Sequence, residues 1–375
     1  IKRQAEMEDE FVDKWRGEAE KKELDKKEKE GDNKGNGKDT NNRRGGVEEG
    51  AFPEVVPLGK KKPGDTREAV KVARRSDKDR PAKRGGELGE RPRLTNEEIE
   101  KVVSSVTAIE ENNEVKITGE ITEDILEAAN QYTPGGEAKE GRGILDEYYT
   151  ETQVVDMVKS LIDLPAKDLH IIEPSVGTGN FLYAIPEIGN HKVAALEINP
   201  TTAKIAKIFH PSVKVFNHPF EVLFIDERGK KIEIEERNLA DLIIGNPPYG
   251  EHRGKYLGLG GEKGIKKYED YFIKRGLDML KEGGKLAMVV PSSFLKGGWS
   301  KSKEAITRLG TLEVAYRLPE GIFAGTEVGT DVVIFKRVDG NTNGNPLFED
   351  SYFKDNQTNI LGTVKQRKNR FGKME

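Results

Sequence analysis

The chain has 375 residues, a net charge of −4, no cysteine, and equal 34% shares of charged and hydrophobic residues. Lack of cysteine excludes disulfides, thiolate zinc sites and cysteine nucleophiles, including the attack on the pyrimidine ring that methylation at cytosine carbon 5 requires. No apolar run approaches the roughly eighteen residues of a membrane span and no secretory signal opens the sequence, so a reducing, cytoplasmic setting is expected.

Residues 1–30 are dense in Glu and Lys, with Phe11, Val12 and Trp15 as their notable apolar cluster, and Gly31 to Gly50 has linker composition. Pro53, Pro57, Pro63, Pro81 and Pro92 oppose regular structure in the stretch that follows. Between Lys60 and Leu94 thirteen Lys/Arg face six Asp/Glu, an arm able to hold phosphates by counterion release or to serve only as a solvated linker. Residues 1–94 are therefore expected to form a charged, largely disordered leader. The opening Ile1, in place of Met, suggests a piece of something longer or a processed product.

Order is expected to begin at Thr95, where Glu98 three residues on completes a capping box. Ile99, Val102, Val103 and Val106 then recur at helical spacing, and a second short helix, Glu123 to Gln131, follows the turn at Thr118-Gly119. Residues 95–142 read as a short helical lead-in. From His170 strands and helices alternate: strands are predicted at Leu169–Glu173, Lys192–Glu197, Val213–Phe216, Ala240–Gly245 and Lys285–Pro291. Leu312–Leu318 and Thr330–Arg337, joined by a loop bearing Gly321, Gly325 and Gly329, read as a terminal hairpin. The pattern predicts a Rossmann-like, doubly wound α/β sheet of seven strands, one antiparallel, over residues 143–338. Residues 339–375, with Gly340, Asn341, Asn343, Gly344 and Asn345, lose periodicity and read as an irregular tail.

Ligands of such sheets lie beyond the carboxyl ends of the strands, and three motifs fall there. In Ile171-Ile172-Glu173-Pro174-Ser175-Val176-Gly177-Thr178-Gly179-Asn180-Phe181 an apolar strand runs into a Gly-X-Gly turn and a helix. Glycines admit a ligand close to the backbone, and the carboxylate ending the strand would repel pyrophosphate but suit an ammonium group. Glu197, before Ile198, ends the next strand about twenty residues on, where an acid commonly accepts ribose hydroxyls, or it caps the following helix. Asp241-Leu242-Ile243-Ile244-Gly245 leads into Asn246-Pro247-Pro248-Tyr249. A conjugated exocyclic amine is a poor nucleophile, so it needs fixed acceptors that draw its hydrogens as the nitrogen becomes tetrahedral. The Asn246 side-chain oxygen and the Pro247 carbonyl can supply them, two prolines hold them in place, and Tyr249 can stack on a base. No metal is needed for this chemistry. The loop from Gly250 to Lys267, with Arg253, Lys255, Tyr256, Lys263, Lys266 and Lys267, could close over a base or hold phosphates.

Together these segments resemble the amino-methyltransferases, specifically the adenine-N6 DNA methyltransferases with the gamma-type order of motifs. Gly143-Ile144-Leu145-Asp146-Glu147-Tyr148-Tyr149-Thr150 resembles the segment over the cofactor's methionine end, Phe220-Glu221 the element flanking its adenine, and Phe323 the aromatic brought against a flipped base. The resemblance implies S-adenosyl-L-methionine as cofactor, held by Tyr149, Thr150, Glu173, Pro174, Gly177, Gly179, Phe181, Glu197, Ile198, Phe220 and Asn246. It implies catalysis by Asn246, Pro247, Pro248 and Tyr249, and a DNA adenine placed against Tyr249 and Phe323. Two departures stand out: the usual acid after the third strand is replaced around Asn217-His218, and only about forty irregular residues follow the hairpin where the family carries a target-recognition domain. Sequence reading is thus expected on another part of a longer chain, on a partner such as a separate target-recognition, helicase or nuclease module, or nowhere, and the general look resembles phage- or plasmid-borne methylase-helicase proteins. Three alternatives remain open: glutamine-N5 methylation of protein, guanine-N2 methylation of ribosomal RNA, and a non-catalytic cofactor- or DNA-binding module of a mobile-element polyprotein.

Overall fold

A computed structural model describes residues 93–132, 150, 152–162, 164, 168–224, 239–252, 262–319, 322–323, 328–338 and 347–361. Residues 1–92, Tyr149 with the segment before it, Arg253, Lys255, Tyr256 and the glycines at 321, 325, 340 and 344 lie outside these. Among the described residues no helix is long and apolar enough to cross a membrane.

The predicted sheet is present and is larger than expected. Among the described residues nine strands form it: β1 (Thr107–Ile109), β2 (Glu114–Ile117), β3 (His170–Glu173), β4 (Lys192–Leu196), β5 (Lys214–Phe216), β6 (Ala240–Gly245), β7 (Leu280–Pro291), β8 (Gly310–Arg317) and β9 (Thr330–Arg337). Their order is β1-β2-β5-β4-β3-β6-β7-β9-β8. Strands β3 to β7 run parallel, and β9 lies antiparallel between β7 and β8, as the seven-strand reading requires. The surplus is the hairpin β1–β2, which adds antiparallel to the edge of β5. Strands of three and four residues, flanked by Glu and Asn, are too short for period-2 alternation to stand out.

Alternate residues of each strand feed opposite faces. Ile171, Val193, Ala195, Leu242, Ile244, Ala287 and Val289 join one core with α3 (Thr152–Leu161), which follows α1 (Asn96–Ser104) and α2 (Glu123–Asn130) in the chain. Ile172, Leu196, Ile243, Leu286, Met288 and Val290 join the other. After α4 (Pro200–Phe209), that second face is covered by α5 (Tyr268–Met279), α6 (Ser293–Lys296) and α7 (Lys301–Leu309). Helices α1 and α2 pack on α4 through Ile99, Val103, Ala129, Ile205 and Ile208. The capping box at Thr95 forms as predicted: its side chain accepts from the Glu98 amide (3.3 Å), and Glu98 accepts from the Thr95 amide (2.8 Å).

Two expectations are corrected. The Gly-X-Gly turn leads not into a regular helix but into a short 3₁₀ stretch, Asn180–Ala184, with Phe181, Leu182 and Ala184 buried and Pro186 following to stop its extension. The tail, read as irregular, holds α8 (Ser351–Asp355) and a 3₁₀ turn, anchored because Leu347, Tyr352 and Phe353 are buried in the second core.

Candidate active site

The parallel strands β3, β4 and β6 end side by side, and their last residues build the site. Glu173 closes β3 fully buried, and its Oε1 receives the Ser175 amide at 3.4 Å. Its Oε2 has no hydrogen-bond partner in the structure. Burial drives this carboxyl well above the ordinary carboxylate range, the Ser175 amide opposes the shift, and nearby Glu197 adds to it. Gly245, ending β6, lies against the same carboxylate: a Cβ there would collide with Glu173 Oε1. Ser175 then ties the two strand ends together, its hydroxyl donating to the Asn246 carbonyl at 3.3 Å.

The glycine turn wraps the second acid. Gly177 and Gly179 both have positive φ (55° and 94°), the left-handed region that favours glycine. The Gly177 amide donates to Glu197 Oε2 at 2.9 Å, while Glu197 Oε1 accepts the Asn199 amide at 2.8 Å at the start of α4. Glu197 is therefore buried and held by two backbone amides, while the helix is capped by Asn199, whose Oδ1 accepts the Thr201 (3.0 Å) and Thr202 (3.2 Å) amides. Ile198 beside it is 39% exposed, an apolar side chain left open at the strand ends. His210 donates Nε2–H to the Gly179 carbonyl at 2.9 Å, and burial holds its pKa down at about 4, so the imidazole stays neutral.

Asn246 stands where β6 opens into the site. Its Nδ2 donates to Thr150 Oγ1 (3.3 Å), and its Oδ1 accepts the Tyr249 hydroxyl (2.6 Å). Pro247 is buried, and Pro248 and Tyr249 are half-buried. Beyond them the chain is clamped: the Gly250 amide donates to Glu269 Oε2 (3.2 Å), the Gly250 carbonyl accepts the Tyr268 amide (2.9 Å) and the His252 amide donates to the Lys266 carbonyl (2.7 Å).

The sequence-predicted residues thus divide. Thr150, Glu173, Pro174, Gly177, Gly179, Glu197, Ile198 and Asn246 to Tyr249 line one edge of the sheet. Phe181 is a core residue beneath the glycine turn. Phe220 is buried in a ring cluster with Phe224, Tyr271 and Phe272. Phe323 is 4% exposed and belongs to the first core. Two contributors were missed. His252 Nε2 lies 3.0 Å from Glu221 Oε1, both buried, with its ring stacked on Tyr271 at 4.3 Å. Asn217 donates Nδ2 to the carbonyls of Glu197 (2.9 Å) and Ile198 (3.0 Å). The only sequence signals were a histidine three residues past Tyr249 and an amide where an acid was expected.

Residues 184–317 match the model of the Eco57I restriction-modification methylase family. The methylase subunit of the type I restriction enzyme EcoEI of Escherichia coli is 25% identical over 214 residues, covering 52% of this chain and 43% of that protein. Over these residues the chain is similar to the methylases of restriction-modification systems. The "Defense against restriction protein B" of Escherichia phage P1 is 30% identical over 202 residues, 52% of this chain but 8% of that protein. A Methanocaldococcus jannaschii protein named "Putative protein N5-glutamine methyltransferase" is 30% identical over 178 residues, 43% of this chain and 80% of that protein. The chain thus spans less than half the length of the two restriction-related relatives.

The cofactor of the family is S-adenosyl-L-methionine, and the residues present fit it. The fully buried Glu173 Oε2, which has no hydrogen-bond partner, suits a cationic donor, and Gly245 and the positive-φ glycines keep the backbone side of the cradle clear. Open Ile198 offers an apolar surface beside the Glu197 carboxylate.

Proposed function

We propose that this chain methylates the exocyclic N6 amine of adenine in DNA, rotating the base out of the duplex and transferring the methyl directly. The observation carrying the proposal is the position of Asn246, whose carbonyl is bonded to Ser175 of the cofactor turn and whose Oδ1 already holds a hydroxyl donor at 2.6 Å. An acceptor that holds Tyr249 O–H in the resting site can hold an amine N–H once Tyr249 turns away.

Bound S-adenosylmethionine supplies an electrophilic sulfonium methyl. The remaining work belongs to the chain. Glu173 and the glycine turn hold the amino-acid end, and Glu197 the ribose. Asn246 Oδ1, itself fixed through its amide on Thr150, and the Pro247 carbonyl draw the amine hydrogens toward them. Both prolines have φ set by their rings, so the backbone that carries the Pro247 carbonyl is held in place. Tyr249, released from Asn246, stacks on the base, and Phe323 joins it only if the hairpin connection repacks from its buried position. The proton leaves to solvent after transfer.

DNA is favoured as the carrier of the amine by the surface next to Tyr249. Lys266 and Lys267 run back beside Glu251 and His252, and Gly264 abuts Lys301. Lys263, Lys266, Lys267, Lys296 and Lys301 are all exposed. Among them Trp299 is 50% exposed, on a loop whose Gly297 and Gly298 carbonyls are held by Lys303. Lysines around an exposed indole suit phosphates and stacked bases. The catalytic unit is proposed to span residues 143–338 behind the lead-in, and recognition of a particular sequence is assigned to a separate target-recognition, helicase or nuclease module.

The second reading, glutamine-N5 methylation of protein, is favoured by the likeness to the archaeal protein over most of its length. Offering tritiated cofactor with unmethylated DNA, ribosomal RNA and release factor in parallel separates the readings. Label on DNA alone is expected, and label on protein or RNA alone overturns the proposal.

A further inference from the structure

The hairpin β1–β2 precedes every motif, yet its tip reaches the cofactor edge of the sheet. Pairing of β2 with β5 sets Glu114 opposite Phe216 and Val115 opposite Val215. The turn at residues 110–113 therefore sits beside the carboxyl end of β5. It is a built turn: the Asn113 amide donates to the Glu110 carbonyl (2.9 Å), the Glu114 amide to Asn112 Oδ1 (3.1 Å), and Asn113 has φ 58°, a conformation Asn tolerates better than most residues.

From this tip a line of hydrogen bonds runs into the site. The Asn113 carbonyl accepts the Asn217 amide at 2.9 Å, and Asn113 Nδ2 lies 3.0 Å from His218 Nε2. Burial holds His218 neutral, with its pKa down at about 4, so its ring nitrogen can accept from the amide. Asn217 carries the connection forward, its Nδ2 holding the carbonyls of both Glu197 and Ile198. Glu197 in turn holds the Gly177 amide. Three segments far apart in sequence are thus fixed to one another: the hairpin tip, the loop after β5 and the turn after β4.

We infer that Asn113 and Asn217 are positioning residues for the cofactor, and that the hairpin is part of the cofactor site although it lies outside the catalytic motifs. The inference rests on the reading of Glu197 as the acceptor of the cofactor's ribose and of Ile198 beside it as a cofactor-holding residue. It also explains why residue 217 is an amide. Its side chain serves as a donor between two carbonyls, a position in which a carboxylate would have no proton to give and would face two oxygens of like polarity. Residue 217 acts through the backbone of 197 and 198, so its loss displaces Glu197 and Ile198 without touching Asn246.

Two variants of the full chain test this, Asn217→Asp and Asn113→Gly. The glycine keeps the positive φ and the carbonyl but removes the contact to His218. Direct titration with S-adenosylmethionine is read beside steady-state kinetics and thermal melting. Asn217→Asp is expected to weaken cofactor binding about 10-fold or more and to raise the cofactor KM in step. Asn113→Gly is expected to weaken binding roughly 2- to 10-fold, the range of one net hydrogen bond. In both, kcat at saturating cofactor and the KM for the methyl acceptor stay within about twofold. Unchanged cofactor affinity in a folded variant overturns the inference, as does a fall in kcat matching the loss of affinity. If Asn217→Asp does not fold, Asn113→Gly alone decides. The titration requires no acceptor, so failure to methylate DNA leaves this inference standing, whereas an unaltered chain that binds no cofactor overturns it together with the reading of the site.

Discussion

The hydroxyl of Tyr249 donates to the side-chain oxygen of Asn246 at 2.6 Å, so the residue assigned to grip the target amine is occupied by its own neighbour in the resting site. On the proposed function, a base entering the site takes over that bond, and the tyrosine it frees becomes the surface it stacks on. Removing the hydroxyl and removing the ring then have different consequences. Tyr249→Phe should leave kcat within a few-fold of the unaltered enzyme, because stacking survives and Asn246 is no longer blocked. Tyr249→Ala should weaken productive DNA binding about 5- to 150-fold, the value of one base stacked on an aromatic ring. Steady-state kinetics with DNA varied at saturating cofactor distinguishes the two.

Glu173 is buried, its Oε2 lacks a partner, and its carboxyl is raised well above the ordinary range. A cationic ligand at that oxygen lowers the pKa again, so at a pH between the two values binding must release a proton. Calorimetry of cofactor binding in two buffers of different ionisation enthalpy should detect that release. Glu173→Gln should abolish it and weaken binding by roughly 10- to 150-fold, the range of a charge-assisted hydrogen bond.

Gly245 leaves no room for a side chain beside Glu173 Oε1. Gly245→Ala should push that carboxylate out of place and lower cofactor affinity, while Gly189→Ala, at a position open to solvent, should not. Parallel cofactor titrations of the two alanine variants check this.

His210 and His218 are each buried and held to a pKa of about 4, against about 6.5 in an unfolded chain. The unfolded state therefore binds more protons between those values, and stability falls as pH drops from about 6.5 toward 4. Each histidine contributes on the order of 3 kcal/mol at most. Urea unfolding at pH 7.5 and pH 5 should show the loss, and His210→Gln should reduce the difference, its amide still able to donate to the Gly179 carbonyl.

What the sequence made legible depended on distance along the chain. Glu173, Glu197 and Asn246 were readable because each stands at or just past the end of an apolar strand, with Gly177 in the turn after the first, and a parallel sheet brings successive strand ends to one edge. The hairpin β1–β2 was not readable: its strands are three and four residues long and gain stability only from β5, about a hundred residues away. For the same reason the pairings of His252 with Glu221 and of Asn113 with His218 left no mark in local pattern. Phe323 was placed by analogy with a hairpin aromatic, and its burial here follows from the core it packs into. The 3₁₀ stretch after the glycine turn is only five residues long, too short for helical spacing to tell it from an α-helix in the sequence.

The central claim is that Asn246 accepts the hydrogens of an adenine amine during methyl transfer. The most direct measurement is nucleoside analysis of unmethylated DNA incubated with the unaltered chain and with Asn246→Ala at saturating cofactor, alongside titration of both with S-adenosylmethionine. The account predicts N6-methyldeoxyadenosine from the unaltered chain, a loss of about 100-fold or more in Asn246→Ala, and closely similar cofactor affinity in the two. Full transfer by Asn246→Ala, or equal loss of transfer and cofactor binding, would contradict it.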